Sequence, residues 1–102
     1  MVEQERQVVW TRAALECVDE IIATITGSSA SAAERVFDEL DATAASLSTF
    51  ALRGRTVPEV EDPAIREVFV FRYRMMYRVS SDQVQILAIV HGAMDYRAHL
   101  KG

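Results

Sequence analysis

Arginine is the side chain through which this sequence could do chemistry. Residues 52–102 hold Arg53, Arg55, Arg66, Arg72, Arg74, Arg78 and Arg97 with Lys101, against six acids, a net charge of +2. Residues 1–51 hold Arg6, Arg12 and Arg35 against nine acids, a net of −6, so the whole chain carries −4. A guanidinium forks carboxylates and phosphates and stacks on flat rings. The C-terminal half is therefore the candidate binding face, with His91 beside its arginines. An acidic chain is poorly suited to gripping nucleic acid in general, because phosphate binding is largely electrostatic. Direct sequence-specific nucleic-acid binding is not expected.

Other chemistries are scarcely supplied. Two histidines, His91 and His99, and one cysteine, Cys17, offer no metal-ligand spacing, so neither a metal nor a cofactor is expected. There is no glycine-rich phosphate loop and no nucleophile elbow. His91 ends an apolar strand and reads first as a packed, hydrogen-bonded residue. Cys17 reads as a small side chain at the edge of the core, and Trp10 as packing under the helices. Met75 and Met76 read as sheet core or a partner-facing patch. Gly54 suits a turn, and Arg55 a loop anchor paired with an acid.

The elements that must position these residues follow from periodicity. Gln7–Trp10 reads as a first strand. Thr11 can cap a helix whose apolar stripe is Ala14, Val18, Ile21, Ile22 and Ile25. Gly27-Ser28-Ser29 stops it, and Ser31 with Glu34 has the form of a capping box for a second helix. That helix carries Ala33, Val36, Phe37, Leu40, Ala44 and Leu47 along one face. Val18, Ile21, Ile22, Val36, Phe37 and Leu40 are expected to be buried. Residues 53–63, with two prolines and a glycine, read as a loop. Three strands follow at residues 65–72, 73–80 and 83–91, rich in β-branched and aromatic residues. Ser80-Ser81-Asp82-Gln83 joins the last two. The junction at Arg72-Tyr73 has no Gly, Pro, Asn or Asp.

The expected architecture is thus α+β in one domain spanning residues 1–102, with a strand, a helical hairpin and a three-stranded antiparallel sheet. At 102 residues there is little room for a second domain. No apolar run approaches the ~18–20 residues that span a bilayer, and the acidic N-terminus lacks a secretory signal pattern. A lone cysteine suits a reducing cytoplasm.

In this order the motifs resemble the ParE/RelE superfamily of bacterial toxins. The matching segments are Val9-Trp10-Thr11 with Ala13 and Ala14, then Gly54-Arg55-Thr56-Val57-Pro58-Glu59 and Ile65-Arg66-Glu67. Tyr73-Arg74-Met75-Met76-Tyr77-Arg78-Val79 and Ile86-Leu87-Ala88-Ile89-Val90-His91-Gly92 complete them. The resemblance covers roughly residues 8 to 97. It implies a toxin of a type II toxin–antitoxin system in the bacterial cytoplasm, neutralised by a cognate antitoxin in a hetero-oligomer. RelE-like relatives are ribosome-dependent mRNA endoribonucleases. ParE-like relatives bind DNA gyrase and block replication without chemistry of their own. RNA cleavage needs a base, a cation for the phosphorane charge and a proton donor. By resemblance only Arg74 and Tyr96 stand where such residues are expected. Val68-Phe69-Val70-Phe71 has no lysine, and Gly92-Ala93-Met94 replaces the arginines of cleaving relatives. The gyrase-directed branch is favoured. A ribonuclease and a non-toxic interaction module of the same fold are the alternatives.

Overall fold

A computed structural model describes residues 5–92; Tyr96, Arg97 and His99 lie outside them. The chain runs β1 (Gln7–Trp10), α1 (Arg12–Thr26) and α2 (Ala30–Ser46), then a 3-10 turn (Ala51–Arg53) and β2 (Arg55–Thr56). Strands β3 (Ile65–Val70), β4 (Tyr73–Val79) and β5 (Gln83–His91) follow. Among the described residues no helix is long and apolar enough to cross a membrane.

The sheet has five strands in the order β1-β5-β4-β3-β2, two more than the expected three. The N-terminal strand joins it by pairing parallel to β5, with Trp10 opposite Ile86. The expected loop after residue 53 contains β2, which pairs antiparallel to β3 through Arg55–Glu67 and Thr56–Arg66. Only two residues long, β2 is too short for any alternation pattern to show.

Thr11 caps α1 as its hydroxyl accepts from the Ala14 N–H, and it donates to the Ile86 carbonyl at 2.7 Å, tying the helix start to β5. The cap of α2 is Ser29, which accepts from the Ala32 N–H, and not the expected Ser31–Glu34 box. Ser31 already lies inside the helix, where its backbone cannot take the extended conformation a cap requires.

The helices cover one face of the sheet. Ala14, Val18, Leu40, Ala44 and Leu47 pack against Val68, Val70, Met75, Tyr77, Val84, Ile86 and Ile89. A smaller cluster of Val57, Ile65, Met76, Ala88 and Val90 forms on the other face, with Val60 against it. Val18 and Leu40 are buried as expected, Ile21, Ile22 and Val36 are half-buried, and Phe37 is 49% exposed. Phe37 sits on the flank of α2, since Leu40 and Ala44 take the positions that point at the sheet.

The β3–β4 hairpin turns through Phe71 and Arg72, as Val70 pairs with Tyr73. A two-residue turn reverses parity between the strands, so Arg66 faces the helices with Val68 and Val70, whereas Arg74 and Arg78 face away with Met76. Phe71 has φ 54°, the left-handed region, and the residue is 63% exposed. Glycine normally fills this position in a tight hairpin. A bulky side chain there costs about 1–2 kcal/mol.

Phe71→Gly is therefore expected to raise thermal stability by about 1 kcal/mol, or roughly 4 °C for a domain of this size. Thermal unfolding followed by circular dichroism measures it; an unchanged or lowered midpoint would contradict the strain.

Candidate functional site

The face of the sheet turned away from the helices carries an ionic network across three strands. Its centre is Glu67 on β3, whose side chain has no exposed area. Alternation aims Glu67 at this face, opposite Arg55 on β2 and Met76 on β4. The Arg55 Nε donates to Oε2 at 2.5 Å. The Arg74 Nε donates to Oε1 at 2.9 Å, and its Nη2 makes a second, shorter bond to the same oxygen. Glu59 stands 3.7 Å from Arg74 Nη1. Arg74 is itself buried, its side chain 8% exposed, whereas that of Arg55 is 59% exposed.

Phe69 completes the patch. Directly opposite Arg74 in the ladder, its ring lies 5.8 Å from the Arg55 guanidinium and 5.7 Å from that of Arg74, and it is 56% exposed. Aromatic and arginine side chains together form the commonest energetic centres of protein interfaces.

A second cluster, on the helix side, holds the segment before Arg55. Tyr77 and Arg66 are cross-strand partners. The fully buried Tyr77 hydroxyl donates to the Ala51 carbonyl at 2.8 Å and accepts from the Gly54 N–H at 3.0 Å. Arg66 Nη1 donates to the Gly54 carbonyl at 2.7 Å and the Leu52 carbonyl at 3.3 Å. Its buried Nε has no hydrogen-bond partner. A Cβ on Gly54 would collide with the Tyr77 hydroxyl and stand 2.6 Å from the Glu67 carbonyl oxygen. Glycine is needed at residue 54 for close approach, and its backbone angles are ordinary. The Gly-Arg pair thus lets the chain lie against β3 and delivers Arg55 to Glu67.

The remaining candidates scatter. Arg53 donates to the Ser46 hydroxyl at the end of α2. Arg78 Nη1 pairs with Asp62 Oδ2 at 2.9 Å. Arg72 is exposed at the hairpin tip. His91 is exposed, edge-on to Tyr73 at 6.2 Å between centroids, rather than packed in the core. As the last residue of β5 it sits at the sheet's end, paired with Tyr73 in the ladder. Arg97 and Tyr96 are outside the described residues. Among the described residues the structure therefore brings together Arg55 and Arg74 and separates the other candidates.

Glu67, Phe69, Phe71 and Arg35 were not among the sequence-derived candidates. Glu67 did carry a signal, being the one carboxylate within the residues that form β3, β4 and β5. Among the described residues no His, Cys, Asp and Glu group could hold a metal ion.

Removing Glu67 would leave Arg74 buried without its principal counter-charge. Glu67→Ala is expected to cost about 3 kcal/mol in urea unfolding. Arg55→Ala, at an exposed side chain, should cost under about 1 kcal/mol. Equal losses would mean that Glu67 is not the centre of the network. Asp62 gives a pH signature. The Ala64 N–H and the Arg78 guanidinium, both bonded to it, hold its carboxyl below the ordinary carboxylate range. A depressed folded-state pKa contributes stability above the unfolded value, which is lost as pH falls through the folded one. Acid unfolding of Asp62→Asn should therefore be flatter than wild type below about pH 4; identical profiles would count against the pairing.

Comparison with known proteins bears on the fold and the family. No curated protein matches the chain. A solved structure described as a chromosomal ParDE TA system from P. aeruginosa superposes with a TM-score of 0.72. The match covers 85% of this chain and 96% of that one at 22% identity, so the two share a fold. The family model for the ParE toxin of the type II toxin–antitoxin system parDE matches residues 8–96. That stretch includes the Gly54-Arg55 segment, the Glu67 network and all five strands from Val8 on, and the chain belongs to the ParE toxin family.

Proposed function

We propose that this ParE-family chain poisons DNA gyrase by binding it, stalling replication in the bacterial cytoplasm, and that its cognate antitoxin neutralises it in a hetero-oligomer. The observation that carries the non-catalytic part is the state of Arg74. A phosphate clamp in a nuclease has to present its guanidinium to a scissile phosphate. Here the guanidinium of Arg74 is buried and spent on Glu67, with Glu59 beside it. An incoming phosphate would have to compete with a desolvated carboxylate already in place. The acidic net charge of −4 adds to this, since a chain gripping message on a ribosome gains from the opposite sign.

The gyrase target comes from family membership, and the half-exposed Phe69 between two guanidiniums is the surface we assign to protein contact. Both guanidiniums are oriented before any partner arrives, which lowers the entropy lost on binding.

The decisive experiment runs two assays on wild type and on Arg74→Lys, which keeps the charge. Wild type is expected to inhibit gyrase supercoiling and raise the fraction of cleaved DNA, and message in a translation reaction should stay intact. Message cleavage by wild type, lost in a folded Arg74→Lys variant, would overturn the reading in favour of a ribonuclease. Harmless overexpression with gyrase unaffected would overturn it in favour of a non-toxic interaction module.

A further inference from the structure

Half of the Arg55 guanidinium is left over by the network that holds it. Glu67 accepts from its Nε, and among the described residues neither Nη1 nor Nη2 has a hydrogen-bond partner. The side chain is 59% exposed, although the carboxylate it binds has no exposed area. An arginine tied through Nε to a fixed carboxylate loses much of its freedom to swing. It presents its two Nη groups as an oriented fork, the geometry that takes a carboxylate through two parallel hydrogen bonds.

Phe69 supplies an apolar surface at the same spot. Among the described residues six large hydrophobic side chains are exposed, and Phe69 is the one with guanidiniums against its ring, Arg55 at 5.8 Å and Arg74 at 5.7 Å. Gly92 leaves another side of the ring bare, since a Cβ there would come to 3.6 Å from it. Ring and fork are therefore neighbours, both held by strands and both open to a partner.

We infer that Arg55 and Phe69 are the paired anchors of the target contact, and that they take one carboxylate and an adjoining apolar side chain from the gyrase polypeptide itself, not from its DNA. The inference rests on the gyrase reading put forward above and adds the place and chemistry of the contact. The occupant follows from charge complementarity. Two vacant N–H donors on one exposed cation match a single carboxylate, and the ring beside them matches an apolar neighbour. A DNA strand fits worse, because it brings a phosphate with every nucleotide. The patch offers one exposed cation, with the part-exposed Glu59 carboxylate beside the buried Arg74 to repel further anions. The net charge of −4 works against phosphate in the same way. Glu67 is a positioning residue in this contact: it aims the fork and never meets the partner.

The test measures binding of the full chain to purified gyrase by surface plasmon resonance, first without DNA and then with it. Arg55→Ala and Phe69→Ala should each weaken the DNA-free complex by at least about tenfold. Both side chains are exposed, and unchanged thermal unfolding would separate lost contact from lost fold. The two losses should respond differently to salt. Added salt screens the ion pair of wild type and should shrink the Arg55→Ala loss, while the Phe69→Ala loss persists. Glu67→Gln, which frees the fork while Arg55 keeps its charge, should weaken binding and leave the salt dependence of wild type in place. A photoreactive benzophenone side chain at residue 69 should crosslink to a gyrase segment that carries Asp or Glu beside large apolar residues. Wild-type gyrase affinity in both alanine variants would overturn the assignment and leave the gyrase reading standing. Binding only in the presence of DNA, with the crosslink on DNA, would overturn it in favour of nucleic acid. Absence of any gyrase complex with wild type, with or without DNA, would remove both the assignment and the reading it rests on.

Discussion

A carboxylate stripped of water holds the far side of this sheet together. Glu67 has no exposed side-chain area, and a buried charge is tolerated only where opposite charge and hydrogen bonds replace its hydration. Arg55 and Arg74 supply both, from β2 on one side and β4 on the other. Because the two guanidiniums come from different strands, Glu67 fixes the position of β2 as well as its own neighbour. The two-residue β2 would have little reason to stay in the sheet otherwise, since its ladder with β3 spans only two residue pairs. Such a network contributes more to specifying one arrangement than to net stability, because desolvation offsets most of the ionic attraction.

Tyr77 and Arg66 do the matching work on the helix face. They bind the carbonyls of Ala51, Leu52 and Gly54, and Gly54 comes so near that a side chain would collide. The segment from Ala51 to Arg55 is thus held from both faces of β3 and β4. This gives the Gly-Arg pair a physical reason: glycine permits the approach, and arginine on the next residue reaches through to Glu67. Phe69 is then left exposed between two oriented cations. The hairpin tip at Phe71 is a separate device, since its strain and its exposure arise from a turn with no residue suited to turning.

Charge is divided along the chain in a way that the fold preserves. The helices are rich in acids, with seven against Arg12 and Arg35, and the sheet end keeps most of the arginines. Most of those arginines are engaged: Arg53, Arg55, Arg66, Arg74 and Arg78 each bond to a neighbour. A cationic count in the sequence therefore overstates the cationic surface. Arg35 and Arg72 stand out by contrast.

By itself the sequence determined the helical hairpin, the three long strands, the family and the arginine-rich half. These rest on local signals: a 3.6-residue stripe, alternation, capping by Thr11 and motif order. Even the pairing of Arg55 with an acid was legible from its place after Gly54 in a loop. Only the tertiary structure decided which acid it was, because Glu67 lies 12 residues away and reaches Arg55 through β2, an element too short to leave a pattern. Burial of Arg74 was likewise undetermined, since the parity of β4 depends on how many residues turn the hairpin, and Phe71-Arg72 gave no turn signal. The exposure of Phe37 depended on how α2 rotates over the sheet, where Leu40 and Ala44 take the inward positions. Periodicity ranks residues within an element; register, rotation and charge pairing are set by contacts between elements, and no single stretch of the chain contains them.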